Sequence, residues 1–180
     1  MSLDTIQVGE YFFEKFISKE QINAIVQRMA VEIDDYYKNI DPLEFIIILD
    51  GAYHFASDFT RAFPRDVKLH FVKIKSYEGF QSSGKASIQG LELLDLKDKH
   101  ILILEDIVET GNTLYHLTQE LKLKAAASVR LASLFVKPTE IIQPLQVDFF
   151  GMEIGPEFII GYGLDYNGFG RTYPDVYIKK

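Results

Sequence analysis

Ile101-Leu-Ile-Leu-Glu-Asp-Ile-Val-Glu-Thr-Gly-Asn-Thr-Leu114 is the stretch that decides how this chain is read. Four consecutive aliphatic residues, Ile101 to Leu104, suit a parallel strand covered on both faces. Two carboxylates, Glu105 and Asp106, end that run. Thr110-Gly111-Asn112-Thr113 then opens a helix to about Lys124, with Leu114, Leu117 and Leu121 on one face. A helix start of this kind presents unpaired amides, hydroxyls and the positive dipole end to an anion. Gly111 lets the backbone approach it closely. One loop therefore sets acids beside an anion cradle, which suits a sugar phosphate whose hydroxyls face the carboxylates and any divalent cation. The plainer reading is a strand-to-helix turn in which Thr110 caps the helix. Consecutive acids at the end of a buried strand weigh against it, because buried charge is costly without a partner.

The flanking sequence supplies similar units. Phe45-Ile-Ile-Ile-Leu49 is another unalternating apolar run, broken by Gly51, and residues 52–63 read as a helix. Val67 to Lys75 alternates as a strand does. Val129–Val136, Val147–Phe150, Phe158–Tyr162 and Val176–Ile178 read as further strands. Ser18-Lys-Glu-Gln21 forms a capping box ahead of an amphipathic helix carrying Ile22, Ile25, Val26, Met29, Ile33 and Tyr37, which ends near Lys38 before Asp41-Pro42. Strands alternating with helices give an α/β domain with a mostly parallel central sheet flanked by helices. Such sheets bind ligands beyond the carboxyl ends of their strands, where strand order reverses. From Ser76 to Gly90 the chain is rich in Gly and Ser and poor in large apolar residues; a loop of that length is functional or mobile, or else a bland surface hairpin.

The 180 residues are 47% hydrophobic and 25% charged, with a net charge of −7 and no cysteine. That length buries a single core without disulfides or a structural metal, and thiolate chemistry is excluded. The acidic balance argues against nucleic acid as a main partner. No apolar run approaches the roughly 18 residues of a membrane helix, and Met1 to Glu10 shows no export signal. A cytoplasmic location with no membrane partner is expected.

The segment Ile101–Leu114 closely resembles the phosphoribosyl-pyrophosphate (PRPP) signature of type I phosphoribosyltransferases. Phe149-Phe-Gly-Met-Glu-Ile154 and Phe158-Ile-Ile-Gly-Tyr-Gly-Leu-Asp-Tyr166 resemble the C-terminal half of the hypoxanthine-guanine members, and Ser76-Tyr77 the head of their mobile catalytic loop. The resemblance covers roughly residues 44–178. It implies the type I phosphoribosyltransferase fold in one domain, with a core of about 40–150, a hood from about 1–17 and 151–180, and a mobile loop near 76–90.

It also implies roles. Glu105 and Asp106 would hold the ribose hydroxyls directly or through Mg2+, and Glu109, Thr110, Gly111, Asn112 and Thr113 would receive the 5′-phosphate. Leu49, Asp50 and Gly51 would form the pyrophosphate loop, with Arg171 on the leaving group, and Asp165, beside the purine, would reach a second magnesium on the pyrophosphate. Lys137 would donate to the purine 6-oxo group, Phe158 would stack on the ring, and Ile159 would add backbone contact. Ser76 and Tyr77 would close over the site, and Glu109 would be the general base. Taken singly, Lys137 reads as a solvated lysine, Phe158 as core, and Asp165 and Arg171 as surface charges.

The activity implied is purine salvage: transfer of the phosphoribosyl group from PRPP to hypoxanthine or guanine, with small-molecule partners and a homodimer or homotetramer. Two residues depart from the family. Glu109 stands where aspartate is usual, moving the carboxylate by about 1.5 Å if extended; misplacement of that order costs ~100-fold in rate. Asp50 stands where lysine or arginine is common and would repel a diphosphate. These departures support one alternative, a nucleotide-sensing regulator with weakened turnover. An enzyme for adenine or a pyrimidine is a further alternative, disfavoured by the C-terminal motifs.

Overall fold

The computed structural model describes residues 5–75 and 87–180. Strands β1 (Thr5–Val8) and β2 (Tyr11–Ile17) form an antiparallel hairpin. The apolar patterning above did not mark it, yet its signal is present. Gly9-Glu10 is a two-residue connection with Gly9 at φ +60°, the backbone a tight hairpin turn requires. Helix α1 (Lys19–Tyr37) follows with the expected capping box: the Gln21 amide donates to Ser18 Oγ, and the Ser18 amide to Gln21 Oε1. A cap of this kind contributes about 1 kcal/mol.

The chain continues through β3 (Leu43–Leu49), α2 (Tyr53–Ala62), β4 (Lys68–Lys75) and β5 (Ser87–Gln89). Then come β6 (His100–Val108), α3 (Asn112–Leu123), β7 (Ser128–Val136), β8 (Phe149–Glu153), β9 (Ile159–Ile160) and β10 (Val176–Lys179). The main sheet has the order β5-β4-β3-β6-β7-β8, parallel except at β5. Phe45 and Ile47 of β3, with Leu102 and Leu104 of β6, bury against α1 and α2; Ile46, Ile48, Ile101 and Ile103 bury against α3. Both faces are covered, which is why these strands read as unbroken apolar runs.

Three expectations needed correction. The strand starting near Ile101 does not end at Glu105-Asp106 but continues to Val108, pairing with β7 to Val136. The fourth strand begins at Phe149, not Val147. Of Phe158–Tyr162 only Ile159–Ile160 is extended, and it joins a second, antiparallel sheet, β1-β2-β10-β9, instead of the main one. The reason is local: Gly161, Tyr162 and Gly163 have φ of +103°, +50° and +104° and turn the chain out of the strand. The expected loop head Ser76-Tyr77 lies outside the described residues.

From β3 the chain passes outward to β4, then returns to β6 on β3's other side. The order reverses between β3 and β6, and a ligand crevice is expected at their carboxyl ends.

Candidate active site

Two loops leave the sheet at that reversal, Leu49-Asp-Gly51 after β3 and Glu109-Thr-Gly111 after β6. The first of them passes over Asp106 of β6 at Gly51. A Cβ there would lie 2.2 Å from Asp106 Oδ2, so only glycine lets this loop pass over the carboxylate. The Leu49–Asp50 peptide is cis.

Asp106 is buried and accepts the Ile107 amide at 3.0 Å. Burial raises its carboxyl above the ordinary range, opposed by hydrogen bonds from Glu105 and from the Ile107 amide. Glu105 is pushed up further, first by burial and then by the adjoining Asp106 carboxylate, and its Oε2 is buried without a hydrogen-bond partner. Two neighbouring acids, one with an orphaned oxygen, form a site whose charge is unbalanced. Hard oxygen donors of this kind fit magnesium, which commonly takes one or two carboxylates and completes its shell with substrate phosphates and water. Among the described residues no group of three or more acidic, histidine or cysteine side chains gathers at one point. The pair alone is what fits the ion.

Beyond β6, Gly111 caps α3 at φ +78° and has no side chain to satisfy the first amides. Thr110 precedes the cap residue, yet its hydroxyl accepts the first helical amide, so the plainer reading holds in part. Its Oγ1 stands 3.4 Å from the Asn112 amide. Glu105, Glu109, Thr110, Asn112 and Thr113 line an open cleft at this helix start, and Asp106, Glu109, Phe158, Asp165 and Arg171 line an adjoining one. Glu109 borders both.

Val108 and Val136 are register partners, so the residues after them emerge side by side. Lys137 is 3% exposed, and its Nζ lies 2.5 Å from Glu109 Oε1 and 3.5 Å from the Pro156 carbonyl. It is not the solvated lysine that its residue type suggests; a buried ammonium needs such a counter-charge. Phe158 is 41% exposed and edge-on to Tyr166, so it faces the cleft more than the core. Asp165 and Arg171 form a half-buried ion pair at 2.7 Å, and Arg171 Nη1 donates to the Gly163 carbonyl.

Residues 17–167 match the family model described as "Phosphoribosyl transferase domain". The chain belongs to the phosphoribosyl transferase family. A hypoxanthine-guanine phosphoribosyltransferase of Aquifex aeolicus is 32% identical over 163 residues, covering 90% of this chain and 92% of its own. A hypoxanthine phosphoribosyltransferase of Haemophilus influenzae is 32% identical over 160 residues, covering 87% and 89%. The crystal structure of a hypoxanthine phosphoribosyltransferase from Staphylococcus aureus superposes with a TM-score of 0.85 at 30% identity, covering 93% of this chain and 91% of that one. The fold is the type I phosphoribosyltransferase fold.

In this phosphoribosyl transferase, the described residues singled out in the sequence gather at the carboxyl ends of β3, β6 and β7, at β9 and on the turn after it. Lys73 was missed. Its Nζ reaches from β4 to within 2.7 Å of Asp50 Oδ2, and this bond, more than the neighbouring Arg171, holds the Asp50 carboxyl below its ordinary range. The acid in the Leu49-Asp-Gly51 loop thus has a cation from the next strand. The one sequence signal was Lys73 on an alternating strand whose buried face takes Val72, and that signal says nothing about which loop the lysine meets.

Proposed function

We propose that this phosphoribosyl transferase moves the 5-phosphoribosyl group from PRPP to hypoxanthine or guanine, giving IMP or GMP and pyrophosphate. The observation that carries the reading is Lys137 Nζ against Glu109 Oε1 at 2.5 Å. A donor and an acceptor side by side complement the 6-oxo oxygen and the neighbouring N7–H of an oxidised purine. Adenine would turn an amino donor toward the same ammonium, leaving a buried donor unpaired, a mismatch worth about 1–3 kcal/mol.

Phe158 stacks on the ring and Ile159 adds backbone contact. Glu109 takes the N7 proton as N9 forms its bond to C1′, and the C1′–oxygen bond breaks with its electron pair leaving on pyrophosphate. Thr110, Gly111, Asn112 and Thr113 hold the 5′-phosphate at the start of α3. Arg171 exchanges Asp165 for the departing diphosphate, placing positive charge where negative charge develops. Glu105 and Asp106 would hold the ribose hydroxyls or magnesium, and Asp165 would hold a second magnesium. Magnesium, when bound, supplies further positive charge against the leaving group. Ser76 and Tyr77, to which the family likeness assigns closure, lie outside the described residues.

A single domain with a core of about 40–150 and a hood from 1–17 and 151–180 belongs to the same reading, as do a homodimer or homotetramer and a cytoplasmic location. No helix among the described residues is long and apolar enough to cross a membrane. The relatives named above are called phosphoribosyltransferases, and the nucleotide-sensor alternative receives no support.

The test is pyrophosphate release with PRPP and magnesium, supplying hypoxanthine, guanine, xanthine and adenine in turn. Release with hypoxanthine or guanine and none with adenine is expected; no turnover with any base, in folded protein, would sink the reading. A second expectation concerns Lys73. Lys73→Met leaves the Asp50 carboxylate facing the diphosphate uncompensated, and the KM for PRPP should rise by about tenfold, the response to roughly 1.4 kcal/mol. Adding Asp50→Asn should recover most of it. An unchanged KM in Lys73→Met would show that Asp50 turns away from the substrate.

A further inference from the structure

Tyr162 stands in a left-handed conformation, φ +50°, between two glycines of the turn after β9. A bulky residue keeps that backbone only when its surroundings fix it, and such residues concentrate at functional sites. The constraint here is visible. The Tyr162 hydroxyl donates to Asp58 Oδ2 at 2.6 Å, its ring lies stacked on His54 with centroids 5.8 Å apart, and its amide donates to the Tyr173 carbonyl at 2.8 Å. His54 and Asp58 are one turn apart on α2, the helix that begins directly after the Leu49-Asp-Gly51 loop.

The next residue makes the connection to the cleft. A Cβ on Gly163 would fall 2.1 Å from the Gly51 carbonyl oxygen, so the two loops are in backbone contact. The Gly163 amide donates to the Arg171 carbonyl at 3.0 Å, and the Gly163 carbonyl accepts from Arg171 Nη1 at 2.5 Å. Tyr162, Gly163 and Arg171 are thus linked by successive direct contacts. Lys137 and Glu109, in contrast, stand on the ends of β7 and β6 and bond to each other.

We propose that Tyr162 and Asp58 form a positioning clamp that holds the turn after β9 on α2 and so sets the place of Arg171, tuning affinity for the diphosphate end of the substrate and not for the purine. The clamp rests on the reading of the site given above. Neither residue touches the reacting atoms; both act through Gly163 and Arg171. Burial raises the Tyr162 hydroxyl above its ordinary range, so it remains a donor across working pH.

Tyr162→Phe keeps the ring and removes only the bond to Asp58. Binding of inorganic pyrophosphate with magnesium, followed by calorimetry, should weaken by about 5- to 10-fold, the effect of one hydrogen bond. The KM for PRPP should rise by a similar factor while the KM for hypoxanthine stays unchanged. Asp58→Ala should match Tyr162→Phe, the double variant should be no worse than either, and Asp58→Asn, which keeps an acceptor oxygen, should restore binding. A purely structural role predicts equal losses for both substrates together with a lower melting temperature, and that result overturns the proposal. So does an unchanged pyrophosphate affinity in folded Tyr162→Phe, or a wild-type protein that does not bind pyrophosphate at all. Wild-type protein that binds pyrophosphate through the clamp yet turns over no purine leaves the clamp standing and removes the enzyme reading.

Discussion

Glu109→Gln is expected to lower the rate of nucleotide formation by about 100- to 10,000-fold, the range for loss of a positioned general base. Glutamine is isosteric and still accepts a hydrogen bond from Lys137, whose Nζ is 2.5 Å from Glu109 Oε1 in the native protein. The ammonium keeps a partner, and the cost to stability should be about 1 kcal/mol or less. What disappears is the capacity to take a proton. Glu109→Asp separates charge from reach. It restores the residue usual in the family at this position and withdraws the carboxylate by about 1.5 Å. Turnover should remain within about tenfold of wild type, because aspartate keeps a carboxylate base and is the family's usual residue there. Single-turnover measurements on the two variants decide the matter. Wild-type rates in Glu109→Gln would take Glu109 out of the chemistry and leave it as the counter-ion of Lys137.

Glu105→Gln should do two opposite things: remove most of the activity and stabilise the fold. Burial and the adjoining Asp106 carboxylate hold the Glu105 proton well above its ordinary value of 4.5. The folded protein therefore keeps a proton that the unfolded chain has lost once the pH passes that value. Wherever the folded state binds more protons, stability falls as pH rises, so the penalty begins near pH 4.5 and grows toward the raised folded value. Glutamine has no proton to lose. In melts from acid to neutral pH without magnesium, variant and wild type should nearly coincide at the acid end. They should separate above about pH 5, the variant melting higher by roughly 2–4 °C for each 1 kcal/mol in a chain of this size. Magnesium should narrow the gap by favouring the ionised wild-type pair. Activity should fall at least ~100-fold with the loss of one charge from the site. A variant that melts lower than wild type at neutral pH would overturn the reading that the Glu105 carboxyl is ionised at a cost to the fold.

These effects trace to different levels of organisation. The sequence alone determined that Ile101–Leu104 and Phe45–Leu49 lie inside a covered parallel sheet, since only strands buried on both faces are apolar without alternation. It also marked the α1 cap at Ser18 and Gln21 and the anion-ready start of α3 at Gly111, because caps and glycine turns are set by residues within a few positions of one another. Family likeness then attached roles to Lys137, Phe158, Asp165 and Arg171. What residue types suggested for Lys137 and Phe158, a solvated charge and a core ring, was reversed by the fold: the lysine is buried and the phenylalanine faces the cleft.

Only the tertiary structure decided who meets whom. The Lys73–Asp50 pair spans 23 residues, Lys137–Glu109 spans 28, and Tyr162–Asp58 spans 104. A strand's period of two tells which face a side chain takes and is silent about the neighbouring strand. Order and register supply that neighbour, and they are settled by the burial of both sheet faces at once. Ile159–Ile160 shows the same limit: an apolar pair suits either sheet, and the three left-handed residues after it, together with its pairing to β10, place it in the second. Local chemistry wrote the motifs, while the packing of segments distant in the chain fixed the distances at which the proposed chemistry operates.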